Sequence, residues 1–292
     1  MPRHRFQTVD VFTATPFLGN PVAVVMDADG LTTAQMQRIA NWTNLSETTF
    51  VLPPTRSGAD YRARIFTPGA ELPFAGHPTI GTAHALLEAG SAAARDGVLV
   101  QECAAGLVRL DVRHADDGAR WLSFELPSPT ITPLDAAQLA ELAAILGTPQ
   151  VEGAPPSIVD TGTRWIVVRL PDAAAVLAAA PDLARMHAWN RAGGHTGVIV
   201  FGPHAAGAAA RIEARAFAPA HGVPEDPVCG SGNGAIAAWL RHTGQADAFG
   251  RDFLSSQGAA LGRAGLLRLS IGTDAIRVGG TAVTCIEGWL AS

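Results

Sequence analysis

The chain has 292 residues, of which 48% are apolar and 16% charged, and it carries a formal net charge of −5. That is apolar material for one large domain or two ordinary ones, and it excludes a disordered chain. So mild an acidic balance, without a basic stripe, excludes a nucleic-acid partner bound through counterion release, and no apolar run reaches the roughly 18 residues of a membrane span.

In chain order, residues 6–12 and 22–26 are predicted strands around a turn at Gly19-Asn20-Pro21. Thr32 with Gln35 makes a capping box, and Met36, Ile39 and Ala40 supply the apolar face of the helix that follows. Strands are predicted over 49–52 and 61–66, and a glycine-rich turn then opens a helix from about 78 to 89. Alternation over 98–126 predicts short antiparallel strands with a turn at Asp116-Asp117-Gly118, and 127–133 reads as a linker. A helix over 137–146 stops at Gly147. A strand over 165–168 follows, then an alanine-rich helical stretch broken at Pro181, and strands over 197–201 and 211–217. A second glycine-rich turn opens a helix over 234–242, and strands over 265–271 and 275–287 close the chain.

The order repeats. Arg64-Ile-Phe-Thr-Pro68 precedes Ala75-Gly-His-Pro-Thr-Ile-Gly-Thr-Ala83, and Arg215-Ala-Phe-Ala-Pro219 precedes Cys229-Gly-Ser-Gly-Asn-Gly-Ala-Ile-Ala237. Each copy is a strand ending in Phe-x-Pro, a loop, and a glycine turn into an apolar helix. A repeat of domain size predicts two similar lobes facing a cleft.

A helix N-terminus offers unpaired N–H groups and a positive dipole end, and glycine lets backbone approach a ligand. Gly76-His77 and Gly230-Ser231 are therefore candidate sites for a small carboxylate, or for an enolate forming beside it. The same glycines also suit a tight turn with no ligand. Gly230-Ser-Gly232-Asn-Gly234 lacks the spacing of a dinucleotide fingerprint, and the Glu-Asp-Pro before it reads as no strand end. Glu47 lies among Leu45, Phe50, Val51 and Leu52, where partial desolvation would raise its pKa and suit it to proton transfer; the alternative is an exposed loop carboxylate. His77 sits in the first turn, Asp226 just before the second, and Ser231 within it.

No lysine occurs, so neither a pyridoxal Schiff base nor a P-loop phosphate lysine can form. Cys103, Cys229 and Cys285 lie far apart, and the opening residues show no signal-peptide pattern, so a reducing, cytoplasmic setting is expected. Cys103 and Cys285 read as strand core, and the six tryptophans as core or dimer packing. His77 and His84 could share a helix face, but no third ligand has metal-site spacing.

Together these segments resemble the phenazine-biosynthesis PhzF-like family. The strings are Val9-Asp-Val-Phe-Thr13, Pro16-Phe-Leu-Gly-Asn-Pro-Val-Ala-Val24, Asn44-Leu-Ser-Glu-Thr-Thr-Phe50, Arg64-Ile-Phe-Thr-Pro68, Glu71-Leu-Pro-Phe-Ala-Gly-His-Pro-Thr79, Glu225-Asp-Pro227 with Gly230-Ser231, and Val278-Gly-Gly280. The resemblance implies an α+β, diaminopimelate-epimerase-like fold of two pseudo-symmetric lobes, each a mostly antiparallel sheet wrapped around a central helix. The lobes are expected at 1–127 with 276–292, and at 128–275. It also implies a homodimer, a small carboxylate substrate, and no metal or organic cofactor. Its catalytic glutamate falls on Glu47, and its assisting groups on His77, Asp226 and Ser231; Asn20, Gly76, Cys229 and Gly230 are assigned to substrate binding. Related racemases on this fold use two cysteines, one at each helix start. Here the second is Cys229 but the first position is Ala75, which argues against a two-thiol racemase. A cysteine at a helix N-terminus is expected to have a lowered pKa, so Cys229 could act alone in a racemase or hydroxyproline-type dehydratase. The resemblance thus implies, as the first reading, a cofactor-independent isomerase in which Glu47 moves a proton on a dihydrohydroxyanthranilate-type substrate; the Cys229 enzyme is the second, and a non-catalytic binding protein the third.

Overall fold

The structure is a computed structural model that describes residues 2–115, 118–147 and 155–292. In chain order its elements begin with β1 (Arg3–Val11), β2 (Asn20–Val25), α1 (Thr33–Thr43), β3 (Thr48–Leu52), β4 (Tyr61–Phe66), β5 (Glu71–Leu72), α2 (Gly76–Glu88), β6 (Val98–Cys103), β7 (Gly106–His114) and β8 (Arg120–Glu125). They continue with β9 (Thr130–Pro133), α3 (Ala136–Leu146), β10 (Ser157–Asp160), β11 (Arg164–Arg169), α4 (Ala173–Ala178), α5 (Leu183–Gly193), β12 (Gly197–Pro203), β13 (Ile212–Ala218), β14 (Val223–Asp226) and α6 (Gly230–His242). The last are α7 (Ala246–Phe249), β15 (Asp252–Gln257), β16 (Gly265–Ile271), β17 (Ile276–Gly280) and β18 (Ala282–Ala291). No helix among the described residues is long and apolar enough to cross a membrane.

Two compact units are present, one of residues 1–125 with 279–292, the other of 126–278. In the first, β1 pairs antiparallel with both β18 and β2, β2 runs parallel to β3, and β4 pairs antiparallel with β3 and β5. A parallel step from β4 to β6 leads into the antiparallel ribbon β6–β7–β8. The second unit repeats this pattern. There β10 lies antiparallel between β9 and β11, β11 is parallel to β12, β13 is antiparallel to β12 and β14, and a parallel step from β13 to β15 leads into β16.

Each unit wraps its sheet around one apolar helix. Every residue of α2 from Gly76 to Leu86 is buried, and so is nearly all of α6 up to Leu240. A helix buried all round must approach strands closely, and glycine permits it: a Cβ at Gly81 would lie 2.3 Å from Val22 Cγ1. The other sheet face is covered by outer helices. Met36 and Ala40 of α1 pack with Phe50 and Phe66, and in the second unit Leu142, Val176 and Met186 pack with Ile166, Val200 and Phe217. Covered on both faces, Thr48–Leu52 is buried throughout, and the hydroxyls of its two threonines are bonded to Thr43 and to the Ala23 carbonyl.

Most predicted elements are present. The capping box at Thr32 and Gln35 is formed, and Gly147 ends α3 in the left-handed conformation at φ 58°. Both central helices start earlier than expected, at Gly76 and Gly230; in α2 this is possible because Pro78 is tolerated within a first turn whose N–H groups need no helical partner. Other readings are corrected. The stretch 127–133 contains β9, because its β-branched Thr130-Ile131-Thr132 pairs with β10. The strand expected over 275–287 is two strands, parted at Thr281, whose carbonyl accepts from Phe12 N–H. Asn20 opens β2 rather than lying in a turn. Asp116 and Asp117 of the expected turn lie outside the described residues. Cys103 is buried as expected, but Cys285 is only half-buried in β18; Trp42 and Trp289 are exposed, which leaves dimer packing rather than core as the reading for those two.

Candidate active site

In the first unit, Asn44 adopts the left-handed conformation at φ 55° and ends α1, turning the chain toward β3. Thr43 and Thr48 hydroxyls bond at 2.9 Å across this turn, with Glu47 between them. The Glu47 carbonyl accepts from Ala23 N–H of β2 at 3.3 Å, so its backbone is stitched to the sheet. Its carboxylate is only 16% exposed, and Oε2 stands 3.4 Å from Nε2 of His77, the second residue of α2. Burial pushes the Glu47 carboxyl up to about 7 against the opposing hydrogen bond from Ser46. The desolvated-glutamate expectation therefore holds over the exposed-loop alternative.

The α2 N-cap, Ala75, has no side chain with which to bond the first-turn amides of Gly76 and His77. A Cβ at Gly76 would approach Phe124 Cζ to 2.6 Å, and Phe124 meets Phe74 edge-on, so an apolar wall backs this helix start. Asn20, 1% exposed, begins the strand that carries Ala23 and lies beside Gly19, whose N–H donates to Asp10 Oδ2 at 2.9 Å.

In the second unit, Asp226 closes β14, opposite Ala216 of β13. This corrects the expectation that Glu-Asp-Pro ends no strand: the hairpin to β13 supplies the partner that local sequence does not reveal. Asp226 Oδ1 accepts from Val228 N–H at 3.1 Å. Cys229 is the N-cap of α6, and its Sγ accepts from Gly232 N–H at 3.3 Å, with Gly230 buried between. Ser231 Oγ accepts from the Trp165 indole N–H at 3.0 Å and lies 3.6 Å from Cys229 Sγ.

The expected lowering of the Cys229 pKa is reversed. Burial first, and then the Asp226 charge, push the thiol well above its ordinary value, outweighing the helix-terminus effect. Trp165 is expected from sequence only as a strand residue and as core or dimer packing; the one available signal of its bond to Ser231 is that a buried indole N–H requires an acceptor.

The structure thus brings together Glu47, Gly76 and His77 in the first unit, and Asp226, Cys229, Gly230 and Ser231 in the second. The first cluster is a protonatable carboxyl facing an imidazole, suited to passing a proton near neutral pH. His84 instead faces Glu88 at 3.7 Å, and among the described residues no group of three or more His, Cys, Asp or Glu is arranged to hold a metal.

Two units, each a mostly antiparallel sheet around a buried helix, define an α+β protein of the diaminopimelate-epimerase-like class. A hydroxyproline epimerase from Agrobacterium vitis shares this fold, with a TM-score of 0.63 at 16% identity over 99% of this chain and 92% of that one. The phenazine biosynthesis-like protein family (PhzC-PhzF) matches residues 9–288, and the chain belongs to it. It is 42% identical to antisense-enhancing sequence 1 of Schizosaccharomyces pombe over 99% of both chains. It is 40% identical to the trans-2,3-dihydro-3-hydroxyanthranilate isomerase of Pseudomonas fluorescens over 90% of this chain and 89% of that one. The PhzF-family protein of Bacillus anthracis superposes with a TM-score of 0.88, at 26% identity over all of both chains. By this kinship the enzyme is an isomerase.

Proposed function

We propose that this isomerase moves a proton within a small carboxylate-bearing substrate of the dihydrohydroxyanthranilate type, using acid/base chemistry at Glu47 and no metal or organic cofactor. The observation that carries the reading is the buried Glu47 carboxyl, held near 7 and facing His77 at 3.4 Å. An acid/base group works best with a pKa near the working pH. The Glu47 carboxylate takes a proton from carbon beside the carboxylate or ring, the electron pair shifts into the conjugated system, and the proton returns to another carbon on the same face. Atoms and charge balance, and no oxidant is needed.

In this reading His77 and Asp226 hold the substrate or relay protons, and Ser231 donates to a substrate oxygen. The Gly76-His77 and Gly230-Ser231 amides bind its carboxylate, with Asn20 and Cys229 completing the contacts. Family resemblance supports a homodimer, which sedimentation of the purified protein tests, and the three scattered cysteines support a cytoplasmic location. A Cys229 base is the weaker reading, because its thiol is held neutral.

The test is C–H exchange in D2O, followed by NMR, with trans-2,3-dihydro-3-hydroxyanthranilate and a panel of proline-type amino acids. Exchange into the first, lost in Glu47→Gln, is expected. Exchange only into an amino acid, lost in Cys229→Ala, would overturn the proposal.

A further inference from the structure

Gln257, the last residue of β15, is buried to 1% exposure. Its Oε1 accepts from Cys229 N–H at 3.1 Å and from Asn233 Nδ2 at 2.8 Å, while its Nε2 donates to the Asp226 carbonyl at 2.8 Å. Two donors on one side and a carbonyl on the other fix which way the amide faces. One side chain therefore grips both ends of the turn Asp226-Pro-Val-Cys229.

Asn233, the fourth residue of α6, extends the grip. Its Nδ2 also donates to the Cys229 carbonyl at 2.9 Å, and its Oδ1 accepts from Ser255 Oγ at 2.6 Å. The network is buried and its members partner one another, the condition under which a polar core specifies one geometry. The first unit has a related but shorter device. There Gln101, on the strand parallel to β4, donates to Thr79 Oγ1 at 2.9 Å, and Thr79, the fourth residue of α2, donates to the Ala75 carbonyl at 2.8 Å. In the second unit the glutamine reaches past the helix cap to Asp226, three residues before it.

We infer that Gln257 is a positioning residue for the isomerisation: it touches no substrate, but through the backbone it sets where the Asp226 carboxylate and the Ser231 hydroxyl stand. This rests on the proposal that Asp226 and Ser231 serve the reaction of Glu47. A displacement of about 1 Å in such groups costs on the order of a hundredfold in rate.

Gln257→Glu provides the discriminating test. One oxygen of the introduced carboxyl can still accept from Cys229 and Asn233, but the other faces the Asp226 carbonyl, acceptor against acceptor. Protonation converts it to a donor and restores the grip, and burial favours the protonated form. Turnover of trans-2,3-dihydro-3-hydroxyanthranilate, as a ratio to wild type, is expected to rise about tenfold or more between pH 8 and pH 5.5, with KM within about threefold of wild type. A ratio independent of pH overturns the inference. If that variant does not fold at pH 8, uncharged Gln257→Met is read at saturating substrate: kcat down about tenfold or more with KM held supports the role, and unchanged kcat overturns it. Asp226→Asn separates the two proposals. If it retains wild-type turnover, the reading of Asp226 fails and the role of Gln257 fails with it. If it is inactive while the Gln257→Glu ratio is flat, the reading of Asp226 stands and the role of Gln257 alone fails.

Discussion

Arg215 grips Glu225 with two prongs, Nε at 2.9 Å and Nη2 at 2.8 Å, and its sequence counterpart Arg64 grips Glu71 in the same way at 2.7 and 2.6 Å. Each guanidinium also lies over the phenylalanine of its own Arg-x-Phe-x-Pro string, 5.0 Å from the Phe217 centroid and 5.1 Å from that of Phe66. The two pairs differ in burial: Arg215 and Glu225 are each 10% exposed, Arg64 and Glu71 24% and 35%. Arg215 Nη1 also donates to the carbonyls of Val176, Leu177 and Ala179 where α4 ends. Arg215→Met, which strands a buried carboxylate, is expected to cost about 3–5 kcal/mol. Arg64→Met, at a wetter site, is expected to cost about 1 kcal/mol. Urea unfolding measures both, and equal losses would contradict the argument.

The Glu47 carboxyl predicts a pH signature in stability as well as in turnover. Its folded pKa of about 7 lies above the ordinary value of 4.5, so the folded protein keeps a proton that the unfolded chain releases. This contribution is fully present below 4.5 and lost as pH rises through about 7. The loss corresponds to about 3 kcal/mol above that range. Glu47→Gln imitates the protonated form, so the variant should melt higher than wild type at pH 8 and level with it near pH 4.5. In wild type, kcat/KM should rise with pH through about 7. A limb confined below pH 5 would sink the assignment of Glu47 as base.

Thiol labelling should rank the cysteines by access and charge. Cys229 is 3% exposed with its thiol held neutral, Cys103 is 5% exposed, and Cys285 is half-buried. Iodoacetamide on the folded protein at pH 8 is expected to modify Cys285 first and Cys229 only on unfolding. Rapid labelling of Cys229, prevented by an amino-acid substrate, would reopen a thiol role.

Gly81→Ala tests how tightly α2 sits in its sheet. The added methyl would meet Val22 Cγ1 at 2.3 Å and Val11 Cγ2 at 3.0 Å. Because both neighbours are buried in strands, overpacking should outweigh alanine's better helix propensity and destabilise the protein by about 1–3 kcal/mol, seen as a lower urea midpoint. A raised midpoint would show that the strands can yield.

Local chemistry explains what was legible in the sequence. Thr32 with Gln35 and Gly147 signal helix ends directly, and the duplicated Arg-x-Phe-x-Pro strings marked the repeat now seen in strand pairing. Glu47 was legible through the Asn44-Leu-Ser-Glu-Thr-Thr-Phe50 string; its neighbours Leu45, Phe50, Val51 and Leu52 alone left an exposed loop carboxylate open. What was not legible depended on distant partners. Val223-Pro-Glu-Asp226 has turn-like composition and becomes a strand through its hairpin with β13 and the Glu225–Arg215 pair. Asp252–Gln257 carries too many polar residues for a simple alternation, yet Ser255 and Gln257 are buried because Asn233 of α6 receives them. The Cys229 pKa went the other way for a similar reason: the helix terminus was visible in sequence, but its burial beside Asp226 was not.

The pairing of β1 with β18 has a consequence for how the polypeptide is made. The second unit is one continuous segment, and its β10 finds both neighbours, β9 and β11, close by in the chain. By contrast β1, which precedes the second unit in the chain, finds one of its two partners only in β18, which follows it. During synthesis on the ribosome the second unit can therefore complete its sheet while the first still exposes an unpaired strand edge. The order of assembly would run against the order of translation, with the first unit sealed last.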